Sequence, residues 1–226
     1  IFSSGAGFTD IDVRQDACNA LNQDEITLMK LKKLLFGLVF GAATLAAPVH
    51  SAPILSDIVF VVDESGSMRT VQDNLRDNIG LFANILTATG RVDAQYGLVG
   101  YGSRSVVPRR LTDFTNATNF ATAAGGLIAS GGTEPGYTAT AFALNELDGQ
   151  TNTFSYRSNA VKNIIILTDE PSNGDTVGRG TVGGAAVTES LLDGLLTSNN
   201  ALYNGVLRRS STIASYETLI DDHSGN

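Results

Sequence analysis

Residues 57–68 read DIVFVVDESGSM. Five apolar residues, 58–62, end abruptly in the carboxylate of Asp63, followed by Glu64, Ser65, Gly66 and Ser67. A near-continuous run rich in β-branched residues fits a strand buried on both faces, the habit of parallel sheets covered by helices. A charge abutting such a strand is costly unless it is paired or bound to a metal. Ser65 and Ser67 alternate with Glu64 and Gly66, and the glycine permits a tight bend. Asp63, Ser65 and Ser67 can therefore face a common point.

The same pattern returns at residues 161–167 (VKNIIIL), which lead into Thr168 and Asp169. Residues 96–101 (YGLVGY) and 201–207 (ALYNGVL) read as further strands, with 105–108 a weak edge candidate. Helical stretches are expected over 71–87, 119–129, 137–147, 186–197 and 212–220. In the first of these, Leu75, Ile79, Leu81, Phe82 and Ile85 recur at helical spacing, and Gly90 stands where a helix should stop. Strands alternating with helices predict an α/β fold: a doubly wound, mostly parallel sheet flanked by helices. No internal repeats are present. In such sheets ligands bind beyond the carboxyl ends of the strands, so Asp63 and Asp169 are expected to emerge at one edge.

The 226 residues accommodate one good-sized domain, and 42% hydrophobic residues suffice for a core. The net charge of −8 argues against a nucleic-acid partner, which needs clustered Lys and Arg. Residues 29–52, MKLKKLLFGLVFGAATLAAPVHSA, place three lysines before an apolar stretch and small residues after it. This is the layout of a secretory signal peptide. A membrane-spanning helix is the competing reading, but it needs about 20 apolar residues and this run is shorter. The internal position of the signal leads us to expect residues 1–28 to be an untranslated upstream extension or disordered, and the product to be exported: periplasmic, cell-surface or extracellular. The one cysteine, Cys18, falls in that upstream segment, so the exported part holds no disulfide.

Past residue 52 the only histidine is His223, which excludes zinc and copper sites built from His and Cys. Carboxylates and hydroxyls are hard donors. They suit Mg²⁺, with Mn²⁺ or Ca²⁺ as near substitutes, and Mg²⁺ demands about six oxygens in an octahedron.

Asp63-x-Ser65-x-Ser67 after a hydrophobic strand resembles the metal-ion-dependent adhesion site of the von Willebrand factor type A (VWA) family. The family pattern also requires a threonine in a later loop and an aspartate after the fourth strand. Gly131-Gly132-Thr133, in SGGTEPGYTATAFAL, is similar to the threonine loop, and Thr168-Asp169 to the aspartate. The resemblance covers roughly residues 55–220 of a domain expected to be incomplete at its C-terminus. It implies that Asp63, Ser65 and Ser67 bind the metal, and that Thr133 and Asp169 do so directly or through water. The open coordination position would then take a carboxylate from a partner protein. Together with the signal peptide, DIVFVVDESGSM looks like the secreted bacterial members, some of them PEP-CTERM-sorted. Membrane or envelope anchoring through a further C-terminal segment is therefore an expectation too. One departure stands out: Glu170 occupies a position where many relatives have glycine, which could shift metal preference or repel acidic partners.

Other motifs carry less. Without its neighbours, the Asp-Ser turn would simply cap the following helix. Residues 178–183 (GRGTVG) match the letters of a dinucleotide fingerprint, but they trail the preceding strand by about ten residues instead of following it directly; a flexible loop beside the metal edge is the better reading. A serine hydrolase lacks both the GxSxG elbow and a histidine base. Metal-assisted hydrolysis would need Glu64 or Glu170 as base. Arg104, Arg109 and Arg110 read as solvated surface, and the acceptor pattern Asn116-Ala117-Thr118 means little if the chain is of the bacterial type that the resemblance implies. The expected function is thus a non-enzymatic adhesion or interaction module. Its rivals are a periplasmic assembly scaffold and a metal-dependent hydrolase.

Overall fold

The structure, a computed structural model, describes residues 52–103, 107–208 and 210–225. The upstream segment, the signal peptide up to Ser51, and Arg104 lie outside the described residues.

The elements run β1 (Ile54–Asp63), α1 (Arg69–Thr87), β2 (Val92–Tyr101), β3 (Arg109–Thr115), α2 (Ala117–Ala124), α3 (Gly136–Ala143), β4 (Val161–Thr168), β5 (Thr181–Val182), β6 (Ala185–Ala186), α4 (Glu189–Ser198), β7 (Ala201–Leu207) and α5 (Ser210–His223). A single 3₁₀ turn, Gly66–Met68, joins β1 to α1. Five strands form one sheet in the order β3-β2-β1-β4-β7. All neighbours are parallel except β3, which runs antiparallel along β2 at one edge. The expected doubly wound, mostly parallel sheet is therefore present. Among the described residues, no helix is long and apolar enough to cross a membrane.

Strand β1 lies at the centre and is buried on both faces, because successive side chains of a strand point to opposite sides. Val59 and Val61 pack with Val99, Ile164, Ile166 and the inner faces of α3, α4 and α5. Ile58, Phe60 and Val62 pack on the other side with Leu98, Leu167, Met68 and Ile79, beneath α1 and α2. Since the chain turns back from β1 to β2 on one side and β4 on the other, the carboxyl end of β1 marks a topological switch point, where open α/β sheets form their crevice.

Several boundaries differ from expectation. The edge strand starts at Arg109; of the 105–108 stretch, residues 105 and 106 lie outside the described residues, and Val107 and Pro108 precede the strand. Helix α2 stops at Ala124 because Gly125 and Gly126 follow. Helix α3 ends at Ala143, four residues early, with Asn145 in the left-handed region at φ 69°. Helix α4 starts three residues later than 186, at the cap supplied by Thr188, whose side chain accepts from Leu191 N at 3.2 Å. In α1, Leu81 and Ile85 lie on the solvent side, 60% and 69% exposed, so the core-facing stripe is narrower than the apolar spacing implied.

Candidate metal centre

The register of β1 against β4 pairs Val62 with Leu167, so one step further Asp63 meets Thr168. The Thr168 hydroxyl donates to Asp63 Oδ2 at 2.9 Å. From the other side the backbone N–H of Ser65 donates to Asp63 Oδ1 at 2.6 Å, the Asx turn that the Asp-x-Ser spacing allows. That turn bends the chain so that Ser65 Oγ lies 3.2 Å from Ser67 Oγ, and Ser67 Oγ donates to Asp169 Oδ1 at 2.8 Å. The structure thus joins Ser65, Ser67 and Asp169 in one chain of oxygens, although 102 residues separate the last two, with Asp63 beside it.

Thr133 arrives on a separate loop. Its methyl packs against Gly174 and its carbonyl oxygen lies beside Gly102. No hydrogen bond among the described residues joins the Thr133 hydroxyl to the Ser65–Ser67–Asp169 chain. The loop is brought in by a close approach at Gly131, with φ 142°, where a Cβ would run into the Gly102 carbonyl oxygen. Only glycine fits that approach.

Asp63 and Asp169 are fully buried. Burial pushes the Asp63 carboxyl up to about 6, with a small further push from Glu134; its bonds from Ser65 and Thr168 only partly offset this. Burial likewise raises the Glu134 carboxyl, and the neighbouring Glu170 and Asp169 add to it. Ser65, Gly66, Ser67, Gly131, Gly132, Glu134, Glu170 and Asn173 line a polar cleft of about 400 Å³ over the strand ends.

The donor set fits a hard divalent ion. Neighbouring oxygens around an octahedral Mg²⁺ at about 2.1 Å sit about 3 Å apart, and the Ser65–Ser67 and Ser67–Asp169 spacings are 3.2 and 2.8 Å. Among the described residues, no group of three or more His, Cys, Asp or Glu side chains is arranged to hold a metal. The hydroxyls are therefore an obligatory part of any ligand set here. An ion so held would supply positive charge at the rim and an open position for an incoming oxygen.

Two supporting residues escaped the sequence reading. Gln72, 6% exposed, donates from Nε2 to the Asp63 carbonyl at 3.0 Å. Its helical phase with Leu75 and Ile79, a polar residue on an apolar face, was the available signal. Glu134 follows Thr133 directly, and nothing in the spacing marks it. Two expectations are corrected. Arg109 is not free surface: it forks onto the buried Glu64, with Nη2 2.5 Å from Oε1 and Nε 3.2 Å from Oε2. Arg110 pairs with Asp113 at 3.3 Å and lies over the Phe154 ring. The GRGTVG segment opens the β5–β6 hairpin, anchored where Asp148 accepts from Thr181 Oγ1 and from Gly183 and Gly184 N–H at 2.7, 3.1 and 2.8 Å. Neither a loose loop nor a phosphate cradle is present there.

No curated protein matches the chain. A family model described as the von Willebrand factor type A domain matches residues 57–186. That span covers more than half of the chain and includes both strand ends that build the rim. The chain belongs to the von Willebrand factor type A domain family.

Proposed function

We propose that this domain holds a divalent cation, Mg²⁺ in the first instance, at Asp63, Ser65, Ser67, Thr133 and Asp169, and uses it to bind an acidic group of a partner protein. The family often mediates metal-dependent protein interactions, and the observation that supports this role here is the oxygen chain Ser65–Ser67–Asp169 beside the buried Asp63. Those donors leave the ion few negative ligands and at least one open position. An ion in that state attracts a carboxylate strongly. The cleft at the rim is polar, with room for an incoming side chain. The secretory layout of residues 29–52 supports action outside the cytoplasm, as an adhesion or interaction module.

A hydrolytic role has less support. Glu64, one of the two bases such a role would use, has both carboxylate oxygens committed: to the Arg109 fork and, at Oε1, to the Ile128 N–H at 2.7 Å. A general base must be able to reach and take a proton.

Isothermal titration of Mg²⁺ and Mn²⁺ into the full chain tests the proposal. One saturable site is expected, weakened at least about 100-fold by Asp63→Ala, because removing one partner of a buried charge pair costs about 3–5 kcal/mol. Unchanged affinity in that variant would exclude the site. Metal-loaded protein is expected to turn over neither esters nor phosphoesters; turnover abolished by Glu170→Gln would favour the hydrolase instead.

A further inference from the structure

Glu134 is a buried carboxylate that the ligand pattern does not use. It is 2% exposed and lines the cleft together with Ser65, Ser67 and Glu170. Asn173 clamps it at three points. Glu134 N donates to Asn173 Oδ1 at 3.1 Å, Asn173 N donates to the Glu134 carbonyl at 2.9 Å, and Asn173 Nδ2 donates to Glu134 Oε2 at 2.8 Å. The other oxygen, Oε1, is buried and accepts no hydrogen bond among the described residues. A buried acceptor without a donor is destabilising, so its placement asks which donor it is built to meet.

The surroundings narrow the answer. Asp169 and Glu170 repel the Glu134 carboxylate, which in turn repels Asp63. Glu134 Cγ and Asp63 Oδ1 flank the same point, 3.4 and 3.3 Å from where a Cβ on Gly102 would lie. The guanidinium of Arg179 attracts Glu134 more weakly than these carboxylates repel it, and it is tied to the Gly174 carbonyl. Yet Asp63, Asp169 and Glu134 do not converge as direct ligands of one ion. The missing donor must therefore stand between Glu134 and the ion, and it must be drawn by negative charge.

The geometry points to Glu134 as an outer acceptor for the hydration of the divalent ion, with Oε1 accepting from a water that the ion retains and Asn173 holding the carboxylate in place. This rests on the reading of the rim as a cation site and adds a selectivity to it. Mg²⁺ gives up its waters reluctantly and keeps several, whereas Ca²⁺ readily exchanges water for protein oxygens at longer distances. An acceptor for retained water therefore favours Mg²⁺.

The test is titration of Mg²⁺ and Ca²⁺ into the full chain and into three variants. In Glu134→Gln, the amide oxygen must face Asn173 Nδ2, which puts the amide nitrogen at the position of Oε1 and replaces an acceptor by a donor. Mg²⁺ affinity is expected to fall about 10- to 100-fold, as for outer partners of metal sites generally, and Ca²⁺ affinity by a clearly smaller factor. Asn173→Ala, which frees the carboxylate without removing it, is expected to lower the Mg²⁺/Ca²⁺ ratio in the same direction and by less. It carries the test if Glu134→Gln does not fold. Wild-type Mg²⁺ affinity in Glu134→Gln, or equal losses for both ions, would overturn the assignment while leaving the site itself standing. If Asp63→Ala binds as tightly as wild type, the cation site fails first and Glu134 has no ion to serve.

Discussion

Strand β1 carries two fully buried aspartates, and the protein treats them oppositely. Near the amino end, Asp57 receives an arginine. Arg157 donates from its backbone N to Oδ2 at 2.6 Å and from Nε to Oδ1 at 2.7 Å, while its Nη2 reaches the Ser56 and Asp93 carbonyls. At the carboxyl end, Asp63 receives the Ser65 backbone N–H and the hydroxyls of Thr168 and Ser65, and no described Arg or Lys forms an ion pair with it. Glu64, the very next residue, has its arginine in Arg109. Among the described residues, buried carboxylates on both sides of Asp63 are thus neutralised while Asp63 has no cation of its own. A buried charge without a partner is strongly disfavoured, so the contrast separates structural carboxylates from one that is kept available. That availability, on a strand end beside Ser65, Ser67 and Asp169, is what the proposed function uses.

Substitutions at the two ends should therefore differ in sign. The largest effect is expected from Arg157→Ala, which strands Asp57 and should cost about 3–5 kcal/mol in urea unfolding, with or without metal. A loss below about 1 kcal/mol would mean that the pair is incidental.

At the other end, Asp63→Asn should stabilise the metal-free protein at pH 7. Raising the carboxyl from 3.8 to about 6 corresponds to roughly 3 kcal/mol of differential cost for the charged form, of which about 1–3 kcal/mol should be recovered. The pH dependence follows from the same shift. Because the folded-state value lies above the unfolded one, the folded protein holds the proton more tightly. The contribution of Asp63 is fully present below about pH 3.8 and is lost as pH rises through 6. The stability of Asp63→Asn relative to wild type should therefore grow between pH 4 and 7 in metal-free buffer. A flat difference across that range would remove the basis for calling Asp63 uncompensated.

The smallest effect tests how the rim is held. Gln72→Leu removes the bond to the Asp63 carbonyl and should cost about 1 kcal/mol of stability. It should weaken Mg²⁺ binding only modestly, because no charge is lost. A loss as large as that of Asp63→Ala would give Gln72 a more direct role.

What the sequence disclosed follows from how far each signal reaches along the chain. The IVFVV run and its echo in VKNIIIL are local, and parallel strands end at a common edge, so Asp63 and Asp169 were legible as neighbours. Ser65 and Ser67 followed because they share the turn with Asp63. The counter-charges were not legible. Arg157 lies 100 residues from Asp57, and Arg109 lies 45 from Glu64; such pairs leave no periodic trace, and Arg109 looked like surface. Glu134 was hidden for a different reason. Its significance lies in the burial of Oε1 and the clamp by Asn173, neither of which has a residue-type signature. The apolar residues Leu81 and Ile85 misled in the opposite direction, since helical spacing does not show where a neighbouring element ends.

The most direct measurement is the thermal unfolding of the full chain and of Asp63→Asn, each with and without millimolar Mg²⁺. A ligand that binds only the folded state raises its stability according to its concentration and affinity. We expect Mg²⁺ to raise the midpoint of the wild type and to leave Asp63→Asn, already more stable without metal, unmoved. A wild type indifferent to the ion, or equal shifts in both proteins, would contradict the claim that Asp63 is kept for a cation.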